Sequence, residues 1–355
     1  MKKRVSVKNV ILVYSIITFF VAAISFAVSF YFSRAVNLGS EEGDEHYDKY
    51  YVMITSEKDS DFWQSIYKGA YETGKENGIY VELLGDNLTK IYSDTELMNI
   101  AINSKPDGII VYANESKDMT SLINTAAGKG IPVVTVYGDC ANSSRCSFVG
   151  VDGFKLGKEY GKRIVNIIND GTAWDPEDKD AHDHLDVAVL VDSFSDNNNQ
   201  MLVWSGIQNA IETDNNTEVK INLELKYINN SSPFTIEESV RDIVKSGDLA
   251  DVIICLNGTN TNYVYQTMID LNMAGRAVVF GYDDSESILR GILRNNIHFT
   301  MSADTYKMGS DCVMALKEYS ESGYTSQFVL ADVTTIDSSN ILKYISESGE
   351  VLHEE

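Results

Sequence analysis

Residues Lys49 to Gly85, KYYVMITSEKDSDFWQSIYKGAYETGKENGIYVELLG, restrict the fold more than any other stretch. Tyr51, Val52, Met53, Ile54 and Thr55 form an apolar, partly β-branched run with the length of a buried strand. A polar loop, Ser56 to Ser60, leads to Asp61 at a plausible N-cap. Phe62, Ile66, Ala70 and Gly74 then recur at the spacing of a helix face packed on a sheet. Gly78 ends that helix, and Ile79 to Leu84 reads as a second strand. A strand, loop, helix and strand in this order form a parallel unit whose right-handed crossover puts the loop at the carboxyl edge of the first strand. Open α/β sheets bind ligands at that edge.

The same unit recurs along the chain. Helices are predicted over Tyr92 to Ser104 and Asp118 to Lys129, with strands at Ile109 to Val111, Ile131 to Val136 and Ser147 to Asp152. A helix containing Gly157 and Gly161 follows and ends near Asp170. Strands are then predicted at Asp186 to Val191, Val219 to Tyr227, Asp251 to Leu256, Ala277 to Gly281 and His298 to Ala303. Helices at Gln200 to Thr213, Thr235 to Ser246 and Asn262 to Met273 separate them. LADVIICLNG with AGRAVVFGYDD echoes KPDGIIVYAN with GKGIPVVTVYGD. The fold class is therefore α/β, two doubly wound parallel-sheet lobes joined by a hinge with a cleft between them.

Residues 1–34 are of different material. Lys2, Lys3, Arg4 and Lys8 precede Val10 to Phe32, 23 uncharged residues, enough to cross a bilayer as one N-terminal transmembrane helix. Basic residues before it and EEGDE after it orient residues 1–9 to the cytoplasm and the rest outside the cell. An uncleaved anchor is expected over 10–32, the alternative being a cleaved signal peptide, and an acidic linker over 33–48. The apolar run is longer than a usual signal core, and Ser33-Arg34-Ala35 is a poor cleavage site. No cysteine follows the run to carry a lipid. The net charge of −23 makes nucleic-acid binding an unfavourable expectation.

The runs YVMITSEKDSDFWQSIYKGA, KPDGIIV, GKGIPVVTV, SFVGVD and GYDD resemble the ribose- and galactose-type periplasmic binding proteins, the type I solute receptors. The resemblance spans roughly Tyr50 to Thr335. It implies lobe 1 at 49–151 plus 304–330, lobe 2 at 152–303 plus 331–346, and an acidic tail at 347–355. In that family an aromatic pair after the first strand holds a sugar, a role that would fall to Phe62 and Trp63. Only one of the two can lie on the helix stripe, leaving the other to face the crevice, unless both belong to the core. Asn257 and Asp283 match residues that bind sugar hydroxyls in the family. The family's Asp-Arg pair is replaced here by Tyr137 and Gly138, followed by Asp139. Val203 and Trp204 stand where a second-lobe arginine often clamps the ring, and Ala303 replaces a usual glutamine before Asp304.

Asp59, Ser60, Phe62, Trp63, Tyr137, Asp139, Asp192, Trp204, Asn257, Asp283 and Asp304 are thus the candidate ligand-binding residues. Polar groups collected at one edge suit a small hydroxylated ligand, expected to be a monosaccharide. Asp and Asn at such places can equally serve as helix caps and turns. Cys140 and Cys146 bracket a short loop, and outside a membrane a disulfide between them is the expectation, the alternative being two thiols. Asp175, Glu177, Asp178 and Asp180 form a weak calcium candidate. Their alternation is broken and no glycine lies among them, so a solvated acidic loop is the leading reading.

Hydrolase, phosphate-loop and zinc-protease motifs are absent, so no enzymatic activity and no cofactor are expected. The resemblance implies a receptor that closes on its ligand and meets a membrane partner. That partner would be either the permease of an ATP-driven transporter or a membrane histidine kinase, and the anchor tilts the choice towards sensing. A scaffold that binds no ligand is the further alternative.

Overall fold

The computed structural model describes residues 47–55, 58, 60–86, 90, 92–114, 116–174, 183–193, 198–215 and 218–347. The expected membrane span, most of its linker, Asp59, the four calcium candidates and nearly all of the acidic tail lie outside the described residues. Among those described, no helix is long and apolar enough to cross a membrane, and no group of His, Cys, Asp and Glu could hold a metal ion.

The first part of the chain runs β1 (Lys49–Ile54), α1 (Asp61–Glu76), β2 (Ile79–Leu83), α2 (Asp94–Ser104), β3 (Gly108–Val111), α3 (Lys117–Gly128), β4 (Val133–Val136) and β5 (Ser147–Gly150). It continues with α4 (Gly153–Asn169), β6 (His184–Asp192), α5 (Asn198–Asp214), β7 (Lys220–Ile228), α6 (Pro233–Lys245) and β8 (Val252–Cys255). Then come α7 (Gly258–Asp270), β9 (Val278–Tyr282), α8 (Glu286–Leu293), β10 (Phe299–Ala303) and α9 (Thr305–Ser322). The short elements β11 (Phe328–Leu330), β12 (Val333–Asp337) and α10 (Ile341–Glu347) end it.

These strands form two sheets of matching topology, β11-β5-β4-β3-β1-β2 and β12-β10-β9-β8-β6-β7. Every pairing is parallel except β10 with β12. β3, β4, β5 and β8 are buried along their whole length, as expected of strands covered by helices on both faces. The chain passes between the sheets after β5, after β10 and after β11, so the hinge has three strands of connection. The architecture is thus two α/β lobes of like winding joined by three crossings.

Local chemistry sets the helix starts. Ser93 caps α2 in a reciprocal box with Glu96, so that helix begins at Asp94 and not at Tyr92. Asn257 caps α7, which starts four residues earlier than its apolar pattern suggests. Ser60, and not Asp61, caps α1, its side chain accepting from the Trp63 amide at 3.4 Å. The buried face of α1 is Trp63, Ile66, Ala70 and Thr73 together with Gly69 and Gly74. Ile66, Ala70 and Gly74 of the predicted stripe are buried, and at its start Trp63 takes the buried place while Phe62 is only partly buried.

Each crossover helix packs on the first helix of the lobe it enters, with backbones in direct contact. A Cβ on Gly309 of α9 would lie 1.8 Å from the Ile66 carbonyl oxygen of α1, and one on Gly69 would lie 1.9 Å from that of Tyr306. The α4–α5 pair repeats this, with Gly157 against Val203 and Gly206 against Phe154. Gly309→Leu is expected to cost at least about 1–3 kcal/mol in urea unfolding, because backbone cannot step aside as a side chain can. Met314→Ala on the exposed face of the same helix should change stability by no more than about 0.5 kcal/mol. Equal tolerance of both would show that the close crossing contributes nothing.

Candidate functional site

Parallel sheets deliver their strand-to-helix loops to one edge, and here the edges of both sheets line one cavity of about 580 Å³. The first lobe contributes an aromatic wall. Phe62 and Trp63 stand in the first turn of α1, Tyr112 follows β3 and Tyr137 follows β4. Phe62 meets Tyr137 at 4.8 Å between ring centres and Trp63 meets Tyr112 at 5.4 Å, both edge to face. The second lobe contributes carboxylates and amides. Asp192 ends β6, Asn257 follows β8, and Asp283 follows β9.

A fan of neutral amides holds the Asp192 carboxylate. It accepts from Gln200 Nε2 at 2.9 Å, Asn257 Nδ2 at 3.1 Å and Asn260 Nδ2 at 3.1 Å. Its own backbone N–H donates to Gln200 Oε1 at 2.9 Å. Asn257 does two jobs, since its Oδ1 also accepts from the Asn260 amide at 2.7 Å and so caps α7. Tyr137 and Asp283 both have left-handed backbones, with φ of 63° and 84°. Non-glycine residues held there cost on the order of 1–3 kcal/mol each, and such strain collects at ligand sites. Gly258 allows the approach of Asp283, because a Cβ there would lie 2.5 Å from the Asp283 Oδ2.

Burial pushes the Asp283 carboxyl up to about 7, with the neighbouring Asp284 charge adding to the shift and Asp61 contributing less. Burial likewise raises the Asp284 carboxyl. The phenols of Tyr137 and Tyr282 are held far above their ordinary range, first by burial and then by the tyrosines and carboxylates around them. The Tyr282 hydroxyl is buried without a hydrogen-bond partner, the Tyr137 phenol lying near it without hydrogen-bond geometry. An orphaned buried hydroxyl costs about 1–3 kcal/mol, which a ligand atom could recover.

Two further cavities continue the groove. One, of about 550 Å³, shares Asp61, Phe62, Asp283 and Ser285 with the central cavity. The other, of about 640 Å³, shares Tyr112, Asn114 and Tyr137 and has a more apolar wall formed by Phe148, Leu202, Phe328 and Leu330.

Of the candidate residues, Ser60, Phe62, Trp63, Tyr137, Asp192, Asn257 and Asp283 converge on the central cavity. Asp139 does not. Arg145 grips it through two nitrogens, Nη2 at 2.7 Å and Nε on the other oxygen, and the Thr135 hydroxyl donates to it at 2.8 Å. That ion pair closes the 140–146 loop where a disulfide was expected. The thiols point apart, Cys140 Sγ donating to the Asn114 carbonyl at 3.0 Å and Cys146 Sγ to that of Val133 at 3.2 Å, and no disulfide joins them. Trp204 packs half-buried against the core and lines none of these cavities. Asp304 caps α9, accepting from the Lys307 amide at 2.8 Å. Tyr112, Gln200, Asn260 and Tyr282 complete the cavity, although sequence reading did not select them. Gln200 and Asn260 each lie three residues into a loop-to-helix junction rich in asparagine, which is the only signal they give.

The position of Asp283 makes stability depend on pH. In the folded protein its carboxyl keeps a proton up to about pH 7, whereas the unfolded chain loses it near pH 4. Stability is therefore drawn down as pH rises through that window and stays reduced above it. Asp283→Asn should stabilise the ligand-free protein by on the order of 2–4 kcal/mol at pH 8 and by much less at pH 5, read by urea unfolding. A constant difference at both values would refute this.

The chain matches the family model described as Periplasmic binding protein domain over residues 51–324. No curated protein matches the sequence. Among solved structures, GanP, a glucose-galactose binding protein from Geobacillus stearothermophilus, is similar with a TM-score of 0.70 at 21% identity, covering 82% of this chain and 98% of its own. The XylFII-LytSN complex gives 0.68 at 26% identity, with 82% and 98% covered. An ABC transporter solute binding protein from Burkholderia graminis C4D1M in complex with D-arabinose gives 0.71 at 18% identity, with 84% and 98% covered. The matched span runs through both sheets and the crossover helices that join them, and on that ground the chain belongs to the periplasmic binding protein domain family.

Proposed function

We propose that this protein is a membrane-tethered extracellular receptor that closes its lobes on a small hydroxylated ligand and presents the closed form to a membrane partner. One observation carries the reading: the cavity between the lobes has an aromatic wall on one side and an amide-carboxylate wall on the other. Such a pair of walls suits a molecule with an apolar C–H face and a polar rim, as a monosaccharide of the ribose or galactose type has. Contacts to both walls exist together only when the lobes meet, so ligand favours closure. In this reading the ligand leaves unchanged: the Ser60, Thr259 and Ser285 hydroxyls line the cavity with no histidine in its lining to activate them.

The uncharged stretch over residues 10–32 supports the tether. For output, sensing through a membrane histidine kinase is favoured over delivery to a permease. XylFII, at 26% identity, has been solved in a complex with LytSN, so a relative of this kind assembles with a second protein. An anchored receptor beside its partner also gains effective concentration. Co-purification from native membranes of a kinase without a permease would support sensing, and the reverse would support transport.

A thermal-shift panel of pentoses, hexoses and polyols on the full chain in detergent tests the binding reading. At about 100 times its dissociation constant a true ligand adds about 2.7 kcal/mol of stability. Phe62→Ala should weaken that ligand about tenfold by removing a ring face, without lowering the stability of the free protein much. A flat response to the whole panel would favour a scaffold.

A further inference from the structure

We infer that the ligand of this cleft carries a protonated amine, a small hydroxylated cation such as an amino sugar or amino polyol. The inference rests on the receptor reading above and narrows its ligand class. The described residues lining the central cavity include three carboxylates, Asp61, Asp192 and Asp283, and no Lys, Arg or His. Cationic side chains close to the groove are committed elsewhere. Arg145 is held by Asp139, Arg290 by Glu286, and Lys58 by Asp86 and the Gly85 carbonyl.

The Asp192 carboxylate is oriented entirely by neutral amides, which fix its position and leave its charge uncancelled. When the lobes close and water leaves, uncompensated carboxylates become unfavourable, and a neutral polyol supplies hydrogen bonds but no countercharge. An ammonium group supplies both. The opposite wall suits the same guest, because the faces of Phe62, Trp63, Tyr112 and Tyr137 attract cations. Tyr282, 2% exposed, also lines the cavity, and its phenol beside Tyr137 can donate to or accept from a ligand. An anionic ligand such as a uronate would meet the Asp61 and Asp192 carboxylates with no cationic side chain lining the cavity to pair with it.

Isothermal titration calorimetry on the full chain in detergent at neutral pH tests this. The probes are 2-amino-2-deoxyglucose, 2-amino-2-deoxygalactose and 1-amino-1-deoxyglucitol, each with its hydroxyl parent, together with the N-acetyl derivatives of the two sugars and glucuronate. At least one amine should bind about tenfold or more tighter than both its parent and any acetylated form, with glucuronate silent. Asp192→Asn or Asp283→Asn should shrink that preference and change the parent's affinity less. A parent, an acetylated form or any neutral sugar of the earlier panel binding as tightly as every amine overturns the inference and leaves the receptor reading standing. No binding by any probe or panel member removes both.

Discussion

A parallel sheet has one consequence that organises this molecule: each strand must return through a helix, so every strand-to-helix loop opens on the same edge. Two sheets wound in the same order bring two such edges together across a hinge of three crossings. The cavity-lining residues are therefore not scattered. Those of the first lobe follow β1, β3 and β4, and those of the second follow β6, β8 and β9, the equivalent strands in each sheet. The switch in strand order beside β1 and beside β6 leaves the crevice that the loops line.

On that frame the two lobes have divided the chemistry. The first lobe offers mainly rings, set edge to face so that each fixes its neighbour. The second offers a carboxylate held by three amides and another carboxylate held in a strained backbone beside a glycine. The amide fan ties β6, α5 and α7 into one unit, so the Asp192 carboxylate is presented without needing a cation. The close backbone crossings of α9 on α1 and α4 on α5 fix both crossover helices against the helices they meet.

Strands and helices were largely legible because burial on both faces demands long apolar runs, and glycines and caps punctuate them. Edges were less legible. β11 is an edge strand of only three residues and β12 an edge strand in which polar and apolar residues mix, and helix starts moved wherever Ser93, Asn257 or Ser60 took the capping role. The disulfide expectation failed because proximity in sequence does not aim two side chains at each other. Arg145, inside the same loop, reaches Asp139 and turns the thiols to separate carbonyls.

What the sequence by itself determined was the winding: two similar α/β halves and the junctions at which polar and aromatic residues cluster, since periodicity and loop chemistry are local properties. Only the tertiary structure decided which junction residues share one cavity. Trp63 rather than Phe62 entered the core, Asp139 was taken by Arg145, and Trp204 gave its place to Gln200 four residues earlier on the same helix. Those choices depend on which way a side chain points once a distant strand or helix has packed, and no local pattern encodes that direction.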